Sequence, residues 1–145
     1  MTEVAFHFNA PDRLAYACRL LRKAHAAGAR VTVTGGADLL RELDEVLWTF
    51  SALEFVPHCH AATASGQVLA KSPVVLTESV AATPHHEVLV NLGTAVPPGF
   101  ERFERLIEVV SLEPEDRQPA RERWRHYADR GYAIARHDLG GGEGR

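Results

Sequence analysis

Three arginines and a tryptophan near the C-terminal end of the chain have a spacing that suits the binding of an acid. Arg117, Arg121, Trp124 and Arg125 stand at i, i+4, i+7 and i+8. On an α-helix this spacing puts three guanidinium groups and one indole on a single face. Guanidinium pairs with carboxylate, bidentately where geometry allows. The indole beside it would wall an apolar notch. The chemistry is recognition of a short peptide that is both acidic and apolar. The same face could stack a base and hold a phosphate of single-stranded nucleic acid. One aromatic and three arginines are few for that, and Glu115, Asp116 and Glu122 interrupt any basic track. A plainer reading also stands, in which this is a solvated helix side with Trp124 packed inward. Arg123 and Tyr127 fall on other faces.

A second cluster is apolar. Leu43, Leu47, Trp48, Phe50, Phe55, Val56 and Pro57 crowd a short span that ends in His58. Trp48, Phe50 and Phe55 fall where a helix gives way to a Pro-marked loop. Exposed loop aromatics are common anchors of protein–protein contacts, and rings that close the domain's own core are the competing reading.

Eight histidines raise the question of a metal. His58-Cys59-His60 is the densest group, but structural zinc takes four ligands from two such clusters. The only other pair, His85-His86, is adjacent, so its side chains diverge. Cys59 beside a histidine could act as a nucleophile, yet no third group is placed to orient the base. No P-loop, GxSxG or HExxH pattern occurs. The expectation is no metal, no cofactor and no catalytic site of its own.

These residues must be carried by a chain of 145 residues, 46% hydrophobic and 24% charged, which is ordinary for one globular domain. Net charge is -3, so bulk attraction to nucleic acid is not expected. Cys18 and Cys59 do not suggest a disulfide framework. The first eight residues lack the basic and apolar regions of a signal peptide, and no run approaches the ~20 apolar residues of a membrane helix. A cytoplasmic protein is expected.

The elements follow from periodicity. Residues 4–8 alternate as a strand. Asn9 or Asp12 can cap a helix over 13–27, whose stripe is Leu14, Ala17, Cys18, Leu21 and Ala24. Gly28 stops it. Residues 30–34 form a strand, Gly35-Gly36 turns, and Asp38 can cap a helix to about Trp48. Residues 49–72 read as irregular. Strands follow at 73–77 and 87–92, the second a continuous apolar run typical of burial. Residues 100–103 can make one helical turn, and 105–112 an edge strand or more helix. Pro114 opens the last helix, to about Arg130, and Gly131 ends it. Strand–helix alternation predicts an α/β fold, a single layered domain over 1–132 with a mostly parallel central sheet flanked by helices. Residues 133–145 read as a flexible Gly-rich tail. The fold is Rossmann-like without a nucleotide site, since the first turn, Asn9-Ala10-Pro11-Asp12, has no glycine to admit a phosphate.

Two segments together resemble the chi subunit family of bacterial DNA polymerase III. One is Leu43-Asp44-Glu45-Val46-Leu47-Trp48 with Phe55-Val56-Pro57-His58. The other is Ala120-Arg121-Glu122-Arg123-Trp124-Arg125-His126-Tyr127 with Gly131. Lys23-Ala24 before Gly28, Pro73-Val74, Asn91-Leu92 and residues 100–110 add to the likeness, which spans about Val4 to Tyr132. Trp124 stands where the family often has tyrosine. The resemblance implies a non-catalytic accessory subunit of the replicative polymerase. It would link the clamp loader, through the psi subunit, to the C-terminal tail of single-stranded DNA-binding protein, so that contact with DNA is indirect. By the same resemblance, psi would meet Trp48, Phe55, Val56, Pro57 and His58, a surface that could alternatively take a helicase-type partner. The tail would meet Arg117, Arg121, Trp124 and Arg125, with Arg121 on its terminal carboxylate. A small nucleotide-binding or single-strand-binding α/β protein is the alternative.

Overall fold

The structure is a computed structural model that describes residues 1–49 and 56–140. Phe50 and Phe55 lie outside the described residues. Within them, seven strands form one parallel sheet. In chain order they are β1 (Glu3–Ala10), β2 (Val31–Thr34), β3 (His58–His60), β4 (Val74–Thr77), β5 (Val88–Asn91), β6 (Arg105–Ser111) and β7 (Ile134–Asp138). Their order across the sheet is β3-β4-β2-β5-β6-β1-β7. The helices are α1 (Arg13–Ala26), α2 (Ala37–Thr49), α3 (Gly66–Lys71) and α4 (Pro114–Asp129).

Two cores lie on the two faces of this sheet. On one, Ala17, Cys18 and Leu21 of α1 and Leu40, Leu43 and Leu47 of α2 pack on Val31, Val33, Val74, Leu76, Val90, Ile107 and Val109. On the other, Ala120 and Tyr127 of α4 pack with Phe100 and Phe103 on Val4, Phe6, Leu89, Leu106 and Val110. The alternation along β6 makes the division plain: Ile107 and Val109 face α1 and α2, while Leu106 and Val110 face α4, as the two-residue period of a strand requires.

Local chemistry sets the helix ends. Asp12 accepts a hydrogen bond from the Ala15 amide at 3.1 Å and caps α1. Gly28, at φ 82, follows α1 in the left-handed region that glycine enters without steric cost. Pro114 opens α4, where a missing amide hydrogen costs nothing.

Several expectations change. Residues 105–112 do not form an edge strand or a helix: β6 is central, hydrogen-bonded between β5 and β1. The stretch read as irregular contains β3 and the short α3, which Ser65 caps. Asp38 lies inside the first turn of α2, paired with Arg41 at 3.0 Å, and is not the cap. The stretch assigned to a Gly-rich tail contains β7, which pairs with β1 from Val4↔Ile134 to Phe8↔Asp138. Asn9 breaks the register of β1 at φ 63, a conformation asparagine tolerates, and its amide donates to Asp138 at 2.9 Å.

The carboxyl end of such a sheet is where nucleotides usually bind, and here Arg13 spans part of it. Arg13 donates to the Leu92 carbonyl and to Asp116, both at 3.0 Å. The second oxygen of Asp116 accepts from the Ser111 amide at 2.7 Å. One ion pair and its hydrogen bonds thus tie the start of α1, the loop after β5, the end of β6 and the start of α4 together.

Candidate functional site

Helix α4 has an inner and an outer face, and both are built from charged residues. Inward, Glu108 of β6 is fully buried. It accepts from Arg123 Nε at 3.0 Å, from the Tyr127 hydroxyl at 2.6 Å, and from Asn91 Nδ2 at 3.1 Å. Burial pushes the Glu108 carboxyl up, and the Arg123 guanidinium and these hydrogen bonds pull against it. Arg123 also donates to the Thr94 carbonyl at 2.9 Å. This cluster clamps α4 to the sheet and fixes its rotation. The sequence hinted at it through one carboxylate inside the apolar run Ile107-Glu108-Val109-Val110.

Outward, α4 borders a cavity of about 230 Å³. Arg117, Arg121 and Trp124 line it with Phe6, Phe8, Val110 and Arg136. Trp124 is half-buried, its ring 5.0 Å from that of Phe6. Arg136 of β7 lies 5.8 Å over Trp124 and 5.5 Å over Phe8. The notch therefore has an aromatic floor and three guanidinium groups around it. Arg125 is exposed and does not line it. Phe8 and Arg136 were not among the expected site residues. Finding them requires knowing that β7 pairs beside β1, which no local pattern reveals.

The second surface lies at the end of α2. Trp48 is 61% exposed, which separates it from Leu43 and Leu47 in the core of the same helix. Pro57 is exposed. Val56 is buried, and its side chain belongs to the core rather than to a contact surface. The His58 side chain is also fully covered. Its Nδ1 meets the Val56 carbonyl at 2.7 Å and its Nε2 meets Asp44 at 3.0 Å. The ring stands edge-on to Trp48 at 5.4 Å and so props the indole outward. Of the five residues expected there, Trp48 and Pro57 present themselves, Val56 and His58 lie beneath, and Phe55 falls outside the described residues.

Cys59 is buried between His58 and His60 on β3. Among the described residues no three His, Cys, Asp or Glu side chains converge as metal ligands. No helix there is long and apolar enough to cross a membrane.

A family model described as "DNA polymerase III chi subunit, HolC" matches residues 1–135. The chain belongs to the DNA polymerase III chi subunit family. It is also 35% identical over 144 residues to the DNA polymerase III subunit chi of Pseudomonas aeruginosa PAO1, covering 96% of this chain and 98% of that one. Its role is therefore that of a chi subunit, an accessory part of DNA polymerase III in DNA replication. The family match takes in Trp48, Arg117, Arg121 and Trp124 and runs past Tyr132 into β7, ending one residue before Arg136.

Proposed function

We propose that this chi-family chain is a non-catalytic adaptor. The α4 notch takes the C-terminal tail of single-stranded DNA-binding protein, and the Trp48 surface takes the psi subunit and through it the clamp loader. The observation that carries the reading is the notch itself: Arg117, Arg121 and Arg136 around the aromatic floor of Phe8 and Trp124. An acidic tail that ends in an apolar residue and a free carboxylate matches both halves of it. Arg121 pairs with the terminal carboxylate and Trp124 flanks the apolar side chain. Arg117 and Arg136 hold the acidic residues, and Arg125 extends the positive rim. Such a contact is small and weak alone, in the micromolar range. Its strength comes from the many tails that a coated single strand offers. Contact with DNA is then indirect, in keeping with a net charge of -3.

Trp48 is the anchor of the other surface. A large exposed indole above a fixed histidine is the kind of residue that dominates an interface. A helicase-type protein could use this surface in place of psi.

Two variants separate the surfaces in co-elution with psi and with single-stranded DNA-binding protein. Trp48→Ala is expected to lose psi and keep the tail, and Arg121→Ala the reverse. Loss of both partners by either variant, with the protein folded, would contradict the division.

A further inference from the structure

A larger cavity, of about 560 Å³, lies on the sheet face opposite the α4 notch, between α1 and the edge formed by β1 and β7. That volume is typical of small-molecule sites. Its cause is legible in the side chains. Ala5 of β1 and Ala135 of β7 face Ala24 of α1 across it, so that methyl groups stand where larger residues would fill the space.

The polar groups around this apolar floor are nearly all donors. The Tyr16 hydroxyl hydrogen-bonds His7 Nδ1. Burial, together with the charges of His137, Arg105 and Lys23, holds His7 down at about 4, so its ring is neutral near pH 7. Burial pushes the Tyr16 phenol up, so it keeps its proton. The His137 ring lies beside that of His7, tilted by 49° with ring centres 4.4 Å apart.

Three fixed cations, Arg19, Lys23 and Arg105, line the same cavity, and the guanidinium of Arg19 lies 5.9 Å over the Tyr16 ring. Among the described residues none of the three takes part in an ion pair. Glu3 is the single carboxylate in the lining, which leaves a local excess of two positive charges (three less one). An excess of two suits a dianion. A phosphate monoester carries about that charge near pH 7, whereas a carboxylate or an internal phosphodiester carries about one.

We propose that this groove binds a free mononucleotide, its phosphate on Arg19, Lys23 and Arg105 and its flat base on the alanine floor beside the His7–His137 pair. The site is independent of the α4 notch and lies away from the carboxyl end of the sheet. Strand β7 serves both grooves, with Arg136 on one face and His137 on the other.

Amide chemical-shift mapping on the full chain tests the proposal, with thymidine 5′-monophosphate as the probe. The expected result is saturable movement of the His7, Tyr16 and Ala135 signals while that of Trp124 stays still. Arg105→Glu should weaken binding by about tenfold or more, as loss of a charged hydrogen bond predicts, and Lys23→Glu should do the same should Arg105→Glu fail to fold. No movement, or movement confined to α4, would overturn the site. An equal response to thymidine or to inorganic phosphate would overturn the two-part recognition. An equal response to oligothymidylate without a terminal phosphate would replace the free nucleotide with a strand-binding track.

Discussion

The arginines of α4 occupy two unlike settings. Arg123 is 2% exposed and bonded to a carboxylate that is itself fully buried. Arg117 and Arg121, within two turns of it, are exposed, and among the described residues neither has an acidic partner. The inner arginine spends its charge inside the molecule, where a buried pair fixes geometry more than it adds stability. The outer ones keep theirs at the surface, where the proposed adaptor role would use them. Trp124 follows the same logic in apolar terms: it packs beside Phe6 and also walls the notch. A helix that must present a face needs a second face that holds it still.

The largest effect expected from this contrast is on stability. Arg123→Ala strands the Glu108 carboxylate and should cost about 3–5 kcal/mol in urea unfolding. A loss below about 1 kcal/mol would mean the network does not hold α4.

The two apolar neighbours on α2 should differ almost as clearly. Leu43→Ala removes a fully buried side chain and should cost about 2–5 kcal/mol. Trp48→Ala removes a ring that is 61% exposed and edge-on to His58, and should cost less, about 1 kcal/mol. Equal losses would make Trp48 a core residue and remove the proposed psi surface.

Arg121→Ala should then show the outer arginine at work. Stability is expected to stay within about 0.5 kcal/mol of the parent, while tail affinity falls by about 1–3 kcal/mol. A stability loss rivalling that of Arg123→Ala would erase the distinction between the faces.

The smallest effect is a pH dependence from His7. Its pKa falls from an ordinary 6.5 to about 4 in the folded chain. The unfolded chain therefore binds the proton first, and this contribution is fully present above pH 6.5. It is lost as pH drops through about 4. The comparison is between the parent and His7→Gln across that window in chemical unfolding. Parallel curves would mean His7 titrates normally.

The sequence revealed most where one element carries the whole pattern. The outer face of α4 needs only helical spacing, and Arg117, Arg121 and Trp124 do gather at one notch. The parallel sheet follows from strand–helix alternation. What stayed hidden depends on contacts across the chain. Strand β7, Ile134-Ala135-Arg136-His137-Asp138, has one large apolar residue and becomes a strand only by pairing with β1. Arg136 and Phe8 meet at the notch for that reason alone. Strand β3 has three residues, too few for periodicity to register. Val56 and His58 looked like loop residues beside an aromatic anchor, and they are the packing beneath it. Helical spacing puts Arg123 on another face but does not show its burial, because its partner Glu108 is fifteen residues away.

The most direct test of the adaptor reading is a fluorescence-anisotropy titration of the protein with a peptide copying the C-terminal tail of the host's single-stranded DNA-binding protein, beside a control peptide without the terminal apolar residue. The expected result is micromolar binding of the first peptide only, weakened by salt as for exposed ion pairs and by Arg121→Ala. Equal binding of both peptides, or no binding by a folded protein, would contradict it and leave the outer face of α4 a solvated helix side.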